Sequence, residues 1–105
     1  MALDERKSRI LNALVYRYIM TGQPVGSKAL AETLNLGISP ATIRNELSAL
    51  EDMGYLYQPH ISAGRVPTYL GYRFYVDNLA GSIRLGVEEK KAILALFSSK
   101  TRELE

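Results

Sequence analysis

The stretch Ser39-Pro40-Ala41-Thr42-Ile43-Arg44-Asn45 gathers side chains suited to reading a polymer rather than to transforming a small molecule. An arginine can pair with guanine O6 and N7, an asparagine with adenine N6 and N7, and a threonine can touch a thymine methyl. Ser39 and the unpaired N–H groups at a helix start can hold a phosphate. On an isolated helix the same residues would be an ordinary solvated face with a serine cap, so the surrounding elements decide the reading. Catalytic chemistry has far less to work with. The chain has no cysteine and one histidine, His60, so thiolate nucleophiles, disulfides and cysteine-rich zinc sites are excluded. No acidic residue lies between Asp52 and Asp77 to orient His60. Glu51 and Asp52 point to different helix faces and read as solvated charges. No phosphate-cradling glycine motif is present. The expectation is a protein that is not an enzyme and has no cofactor, no metal and no small-molecule substrate.

The elements that must position Arg44 and Asn45 follow from periodicity. Leu3, Lys7, Ile10, Leu11, Leu14, Val15 and Tyr18 fall on one stripe, which predicts a first helix from Asp4 to Met20 stopped by Thr21-Gly22. After a turn at Pro24 and Gly26, Ser27 reads as the N-cap of a short helix over 28–34 that buries Leu30, Ala31 and Leu34. Asn35-Leu36-Gly37 makes the next turn. Ser39 followed by Pro40 is a capping serine with proline at the first helical position, so a third helix runs to about Met53 and Gly54 stops it. Its apolar face is Ile43, Leu47 and Leu50. Residues 55–58 read as a strand, 59–64 as a turn, and Arg65-Val66 as a returning strand. Thr68 caps a fourth helix with Tyr72, Tyr75, Val76 and Leu79 at helical spacing. Residues 80–86 read as a link and 87–103 as a last helix with Ile93, Leu94 and Phe97 on its apolar side. The fold class expected is mainly α with a small β-hairpin, a winged helix-turn-helix. Residues 1–80 form the expected winged DNA-binding domain, and residues 81–105 a linker and C-terminal helix.

In such a fold the second helix of the helix-turn-helix lies in the major groove. With Ile43, Leu47 and Leu50 inward, Ala41, Thr42, Asn45 and Ser48 turn outward and Arg44 flanks them. Ser39, Pro40, Ala41, Thr42, Arg44, Asn45 and Ser48 are therefore the candidate recognition residues. His60, Ser62, Gly64 and Arg65 are the candidate wing contacts, with Arg65 placed to enter a minor groove or meet a phosphate. Arg17 and Lys28 are candidate flanking phosphate contacts on charge alone. Tyr55, Tyr57, Tyr69, Tyr72 and Tyr75 read as core packing with hydroxyls at the surface, rather than as a stacking platform for single strands.

Composition fits one compact domain: 105 residues, 47% hydrophobic and 23% charged, which argues against disorder. No apolar run approaches a membrane span and the N-terminus carries no signal-peptide core, so a cytoplasmic protein is expected. The net charge of +2 decides little, but its distribution is uneven. Between Arg6 and Arg44 stand six basic residues against one acidic, Glu32. That bias suits a one-sided nucleic-acid footprint.

Longer motifs then carry a resemblance. Pro24-Val25-Gly26-Ser27, residues 39–45, Gln58-Pro59-His60, residues 62–68 and residues 71–77 stand in family order and closely resemble the N-terminal domain of the HrcA family of heat-inducible transcription repressors. The resemblance covers residues 5 to 80. It implies a bacterial repressor of chaperone operons that binds double-stranded DNA as a homodimer on an inverted-repeat operator, the CIRCE element, and depends on the GroEL chaperonin. A palindromic operator also mirrors a two-fold dimer on geometric grounds. Three positions depart from the family pattern, which usually has an acidic residue at Tyr69, a threonine near Ile61 and a methionine near Leu47. The family also has a sizeable C-terminal dimerisation and regulatory region. This chain reads either as the DNA-binding part of such a repressor or as a short relative regulating other genes. A winged-helix module for protein–protein interaction is the competing class, which an acidic or apolar third-helix face would have favoured.

Overall fold

The computed structural model describes residues 3–34, 37–83, 91, 92 and 94–96. The elements are α1 (Glu5–Thr21), α2 (Ser27–Leu34), α3 (Pro40–Asp52), β1 (Leu56–Tyr57), β2 (Val66–Pro67) and α4 (Tyr69–Ile83). Asp4 caps α1 by accepting a hydrogen bond from the Lys7 amide at 2.8 Å, and Gly22 ends it in the left-handed region. Between them Ile10, Leu11, Leu14, Val15 and Tyr18 are fully buried. Spaced three and four apart, they turn one continuous stripe inward. That stripe makes α1 the central helix, packed against α2, α3, α4 and β2.

The helix-turn-helix forms where expected, with one shift. Leu30 N donates to Gly26 O at 3.1 Å, so Gly26 occupies the capping position of α2 and Ser27 is its first helical residue. The expected Ser27 cap is corrected by one residue. The cause is tertiary. Val25 and Arg65 exchange two backbone hydrogen bonds, at 2.9 and 2.8 Å, so the extended chain ends at Val25 and must turn at Gly26. Leu30 is buried, and Ala31 and Leu34 are half-buried against the core.

The hairpin is shorter than its sequence pattern and slipped by one residue on the return. Leu56 faces Pro67 and Tyr57 faces Val66 in an antiparallel pair. Arg65, expected to begin the second strand opposite β1, pairs instead with Val25. Pro59 lacks an N–H and closes the first strand early. Gly64 is required by this arrangement, because a Cβ there would lie 2.4 Å from the Val25 carbonyl carbon and oxygen. Gly71 has the same role for α4, where a Cβ would lie 2.4 Å from Tyr55 O.

Thr68 starts α4 as expected, accepting from Gly71 N at 3.2 Å while its hydroxyl donates to Gly54 O at 2.7 Å. The helix continues to Ile83, so residues 80–83, expected as link, are helical. A single Gly81 lowers helix propensity by only about 1 kcal/mol and does not terminate a helix alone. The final helix expected over 87–103 lies mostly outside the described residues. Within it, residues 91, 92 and 94–96 are helical, and Leu94 packs against the core. Tyr72 and Tyr18 are fully buried with rings 6.5 Å apart, and burial pushes the Tyr18 phenol up to about 12, with Tyr72 and Tyr57 adding to the shift. Tyr55 meets Phe74 edge-on at 5.8 Å. Tyr55, Tyr57 and Tyr75 are half-buried and Tyr69 is half exposed. Tyr72 is core and Tyr55, Tyr57 and Tyr75 are core margin, as expected, but the Tyr72 hydroxyl is buried rather than at the surface and Tyr69 stands outside the core.

Candidate nucleic-acid interface

The start of α3 is built by its cap. Ser39 Oγ accepts from Thr42 N at 3.2 Å and donates to Thr42 Oγ1 at 3.1 Å, while Ser39 O accepts from Ile43 N at 3.0 Å. Pro40 has no N–H, so among the described residues the Ala41 amide is the first-turn donor left without a partner. The Ser39 hydroxyl is thus occupied within the helix, and an anion would meet the Ala41 amide.

Beyond the cap, α3 turns two unlike faces outward and inward. Ala41, Arg44, Asn45 and Ser48 are exposed and Thr42 is half-buried. Arg44 and Asn45 have no side-chain partner among the described residues, so their guanidinium and amide donors are uncommitted. Small residues at 41 and 48 leave the polar groups at 44 and 45 projecting beyond them. The inward face is Ile43, Leu47 and Leu50, with one addition that the apolar pattern did not reveal. Glu46 is 6% exposed, the buried charged residue among those described. Its carboxylate accepts from Arg6 Nε and from Lys7 Nζ at 3.0 Å. Burial alone would raise its pKa, but the hydrogen bonds from Lys7 and Arg6 prevail and hold it below the ordinary 4.5. Its spacing from Ile43 and Leu50 was the available signal, since residue 46 falls on the same face.

Glu46 also revises the charge argument. Arg6 and Lys7 are committed to Glu46, Lys7 also to Asp4, and Arg9 to Glu5. These acids stand just outside the Arg6–Arg44 window, so three of its six basic residues are ion-paired on folding. Of the flanking candidates, Lys28 is exposed without a partner among the described residues, whereas Arg17 donates to Thr33 Oγ1 at 2.9 Å.

The wing closes against this helix. Arg65 turns back on α3, its Nε donating to Glu51 Oε1 at 2.9 Å and its Nη2 reaching Ser48 Oγ at 3.4 Å. Its side chain is only 13% exposed. Arg65 therefore clamps the wing to the recognition helix rather than projecting freely. Gln58 shapes the tip, donating from Nε2 to Ile61 O at 3.1 Å and to Ala63 O at 2.7 Å. His60 and Ser62 are exposed there, and the His60 carbonyl accepts from Ala63 N at 2.9 Å. The sequence places Gln58 at the end of the first strand and in a motif, and its role at the tip depends on a turn whose shape the residue types do not dictate. A groove of about 300 Å³ separates wing from helix, lined among others by Ser27, Arg44, Ser62, Gly64 and Arg65. The structure thus brings Arg44 and the wing candidates Ser62, Gly64 and Arg65 to one cleft, with His60 outside its lining. Asn45, Thr42 and the helix start lie outside its lining, on the exposed side of α3. Among the described residues no His/Cys/Asp/Glu group could hold a metal, and no helix is long and apolar enough to cross a membrane.

Comparison with known proteins agrees with this geometry. Residues 2–78 match the family described as "Winged helix-turn-helix transcription repressor, HrcA DNA-binding". The chain is 50% identical over 103 residues to the heat-inducible transcription repressor HrcA of Symbiobacterium thermophilum, covering 98% of this chain and 30% of the relative. It is 53% identical over 104 residues to that of Acetivibrio thermocellus, covering 99% and 30%. The chain thus spans about a third of the length of the curated relatives it matches. A crystal structure described as a hypothetical protein, at 2.2 Å resolution, superposes with a TM-score of 0.72 at 44% identity, covering 75% of this chain and 25% of the other. ScaR with bound Zn2+ superposes at a TM-score of 0.54 and 19% identity, covering 87% of this chain and 45% of the other, a likeness of fold alone.

Proposed function

The chain belongs to the HrcA family of winged helix-turn-helix transcription repressors, and from that membership we propose that it reads an inverted-repeat operator of CIRCE type. The observation that carries the reading is the exposed, uncommitted pair Arg44 and Asn45 on a capped helix beside a clamped wing. Arg44 and Asn45 supply base-edge recognition, Thr42 an apolar touch, and Ala41 N–H with Lys28 the phosphate contacts. Ser48, His60 and Ser62 border that surface. Arg65 and Gly64 act one step back, holding the wing in place. The operons controlled are those of heat-shock chaperones. In the full-length repressor two copies occupy the two half-sites, GroEL sustains the active form, and the protein works in the cytoplasm. Residues 81–105 lead toward the part that joins the copies.

The test is fluorescence anisotropy of a CIRCE-type inverted-repeat duplex against a scrambled duplex of equal length, at two salt concentrations. Tighter, salt-dependent binding to the repeat is expected, with two chains per duplex at saturation. Equal binding to both duplexes removes sequence reading from this domain, and no binding at low salt removes the DNA reading altogether.

A further inference from the structure

We propose that Ile61, at the tip of the wing, is a specificity-determining wedge that enters the minor groove of the bound duplex and opens a deformable base step beside the half-site. The inference rests on the DNA-binding reading above and adds to it a residue and a mode of recognition. Ile61 is 94% exposed, the highest value among the large hydrophobic residues described. Turn chemistry does not ask for it, because tips favour Gly, Asn, Asp or Ser, which supply unusual dihedrals or local hydrogen bonds. A β-branched apolar side chain gains nothing from the fold at that position.

The tip is also held in shape. Gln58 fixes the carbonyl of Ile61 and that of Ala63, and Ala63 N closes the turn onto His60 O. Little ordering would therefore remain to be done on binding. Ile61 borders the same groove as Arg44, so the recognition helix and the tip address one duplex. With the helix in the major groove, the tip reaches the neighbouring backbone and minor groove. Apolar side chains inserted there unstack a base step, most cheaply at pyrimidine–purine steps. His60 and Ser62 are exposed on either side of Ile61, polar groups suited to phosphate and sugar rather than to an apolar protein patch.

The experiment uses this chain and the inverted-repeat duplex, with 2-aminopurine replacing adenines one at a time within and beside each half-site. The wild-type chain is expected to raise the fluorescence at one position per half-site, the sign of an unstacked base. Ile61→Ser should abolish that rise and weaken binding roughly 3- to 10-fold, the scale of one lost apolar contact. Replacing a TA step at that position by AA should weaken the wild type and leave Ile61→Ser unaffected. Thermal melts of the variant should match the wild type, since the side chain is almost wholly in solvent. A duplex that is bound with no fluorescence change at any position overturns the wedge alone, as does an Ile61→Ser chain with unchanged affinity and step preference. Failure of the wild type to bind any duplex overturns the DNA reading and the wedge with it.

Discussion

Arg44 and Asn45 are adjacent and both exposed, yet one can act through charge at a distance while the other acts only through geometry. Asn45→Ala should therefore reduce discrimination between operator and scrambled duplex by about 1–3 kcal/mol, with little change in salt dependence, as read by competition anisotropy. Unchanged discrimination would mean that the exposed face of α3 has been misassigned. Two residues away in the helical array, Glu46 does the opposite job. Its folded pKa lies below 4.5, so it contributes stability above that pH and loses it as pH falls through the folded value. Urea unfolding of the wild type should show this loss on acidification, and Glu46→Gln should show less of it. At neutral pH Glu46→Gln should cost about 1–2 kcal/mol, because the amide keeps part of the hydrogen bonding while Arg6 stays half in solvent. A variant as stable as the wild type at pH 7 would show the Arg6–Glu46–Lys7 cluster to be energetically neutral.

At the level of elements, the wing is held to α3 by Arg65 and to the α1–α2 connection by Val25. Arg65→Ala and Glu51→Ala should each loosen the wing, and the double variant should be little worse than either. A coupling of roughly 0.5–1 kcal/mol in a double-mutant cycle is expected for such a partly exposed pair, and strict additivity would dissolve the clamp. Gly71→Ala should destabilise by about 1–3 kcal/mol in thermal or denaturant melts, since its methyl meets the Tyr55 carbonyl and α4 must shift off the hairpin. A neutral result would show that α4 can slide on the hairpin without loss. These elements also mark how far the sequence could be read. The four helices, the Ser39-Pro40 start and the Ile43, Leu47 and Leu50 face were legible because caps and periodicity are local. The Val25–Arg65 pairing, the one-residue shift at Ser27 and the inward turn of Arg65 were not, because each depends on segments distant in sequence meeting. Residues 80–83, expected as link, continue α4, because Gly81 weakens a helix without ending it.

For the whole molecule, the same distinction applies to charge. Composition suggests a broad basic half, but within residues 6–44 folding leaves only Arg44 and Lys28 uncommitted among the described cations. A domain with few free phosphate contacts gains affinity from duplication on a palindrome more than from its own footprint, in keeping with the proposed dimer. The Val25–Arg65 bridge has a further consequence at this scale. Its two amides belong to no helix and to neither named strand, yet each is locked to a partner far along the chain. They are native reporters of a single event, the docking of the wing onto the three-helix body. Hydrogen–deuterium exchange at Val25 and Arg65 should slow together and by the same factor, apart from the α1 core amides, so the wing would open as its own cooperative unit before the rest of the molecule unfolds. Exchange of the pair at the rate of the α1 core would instead mean that wing and body open as one.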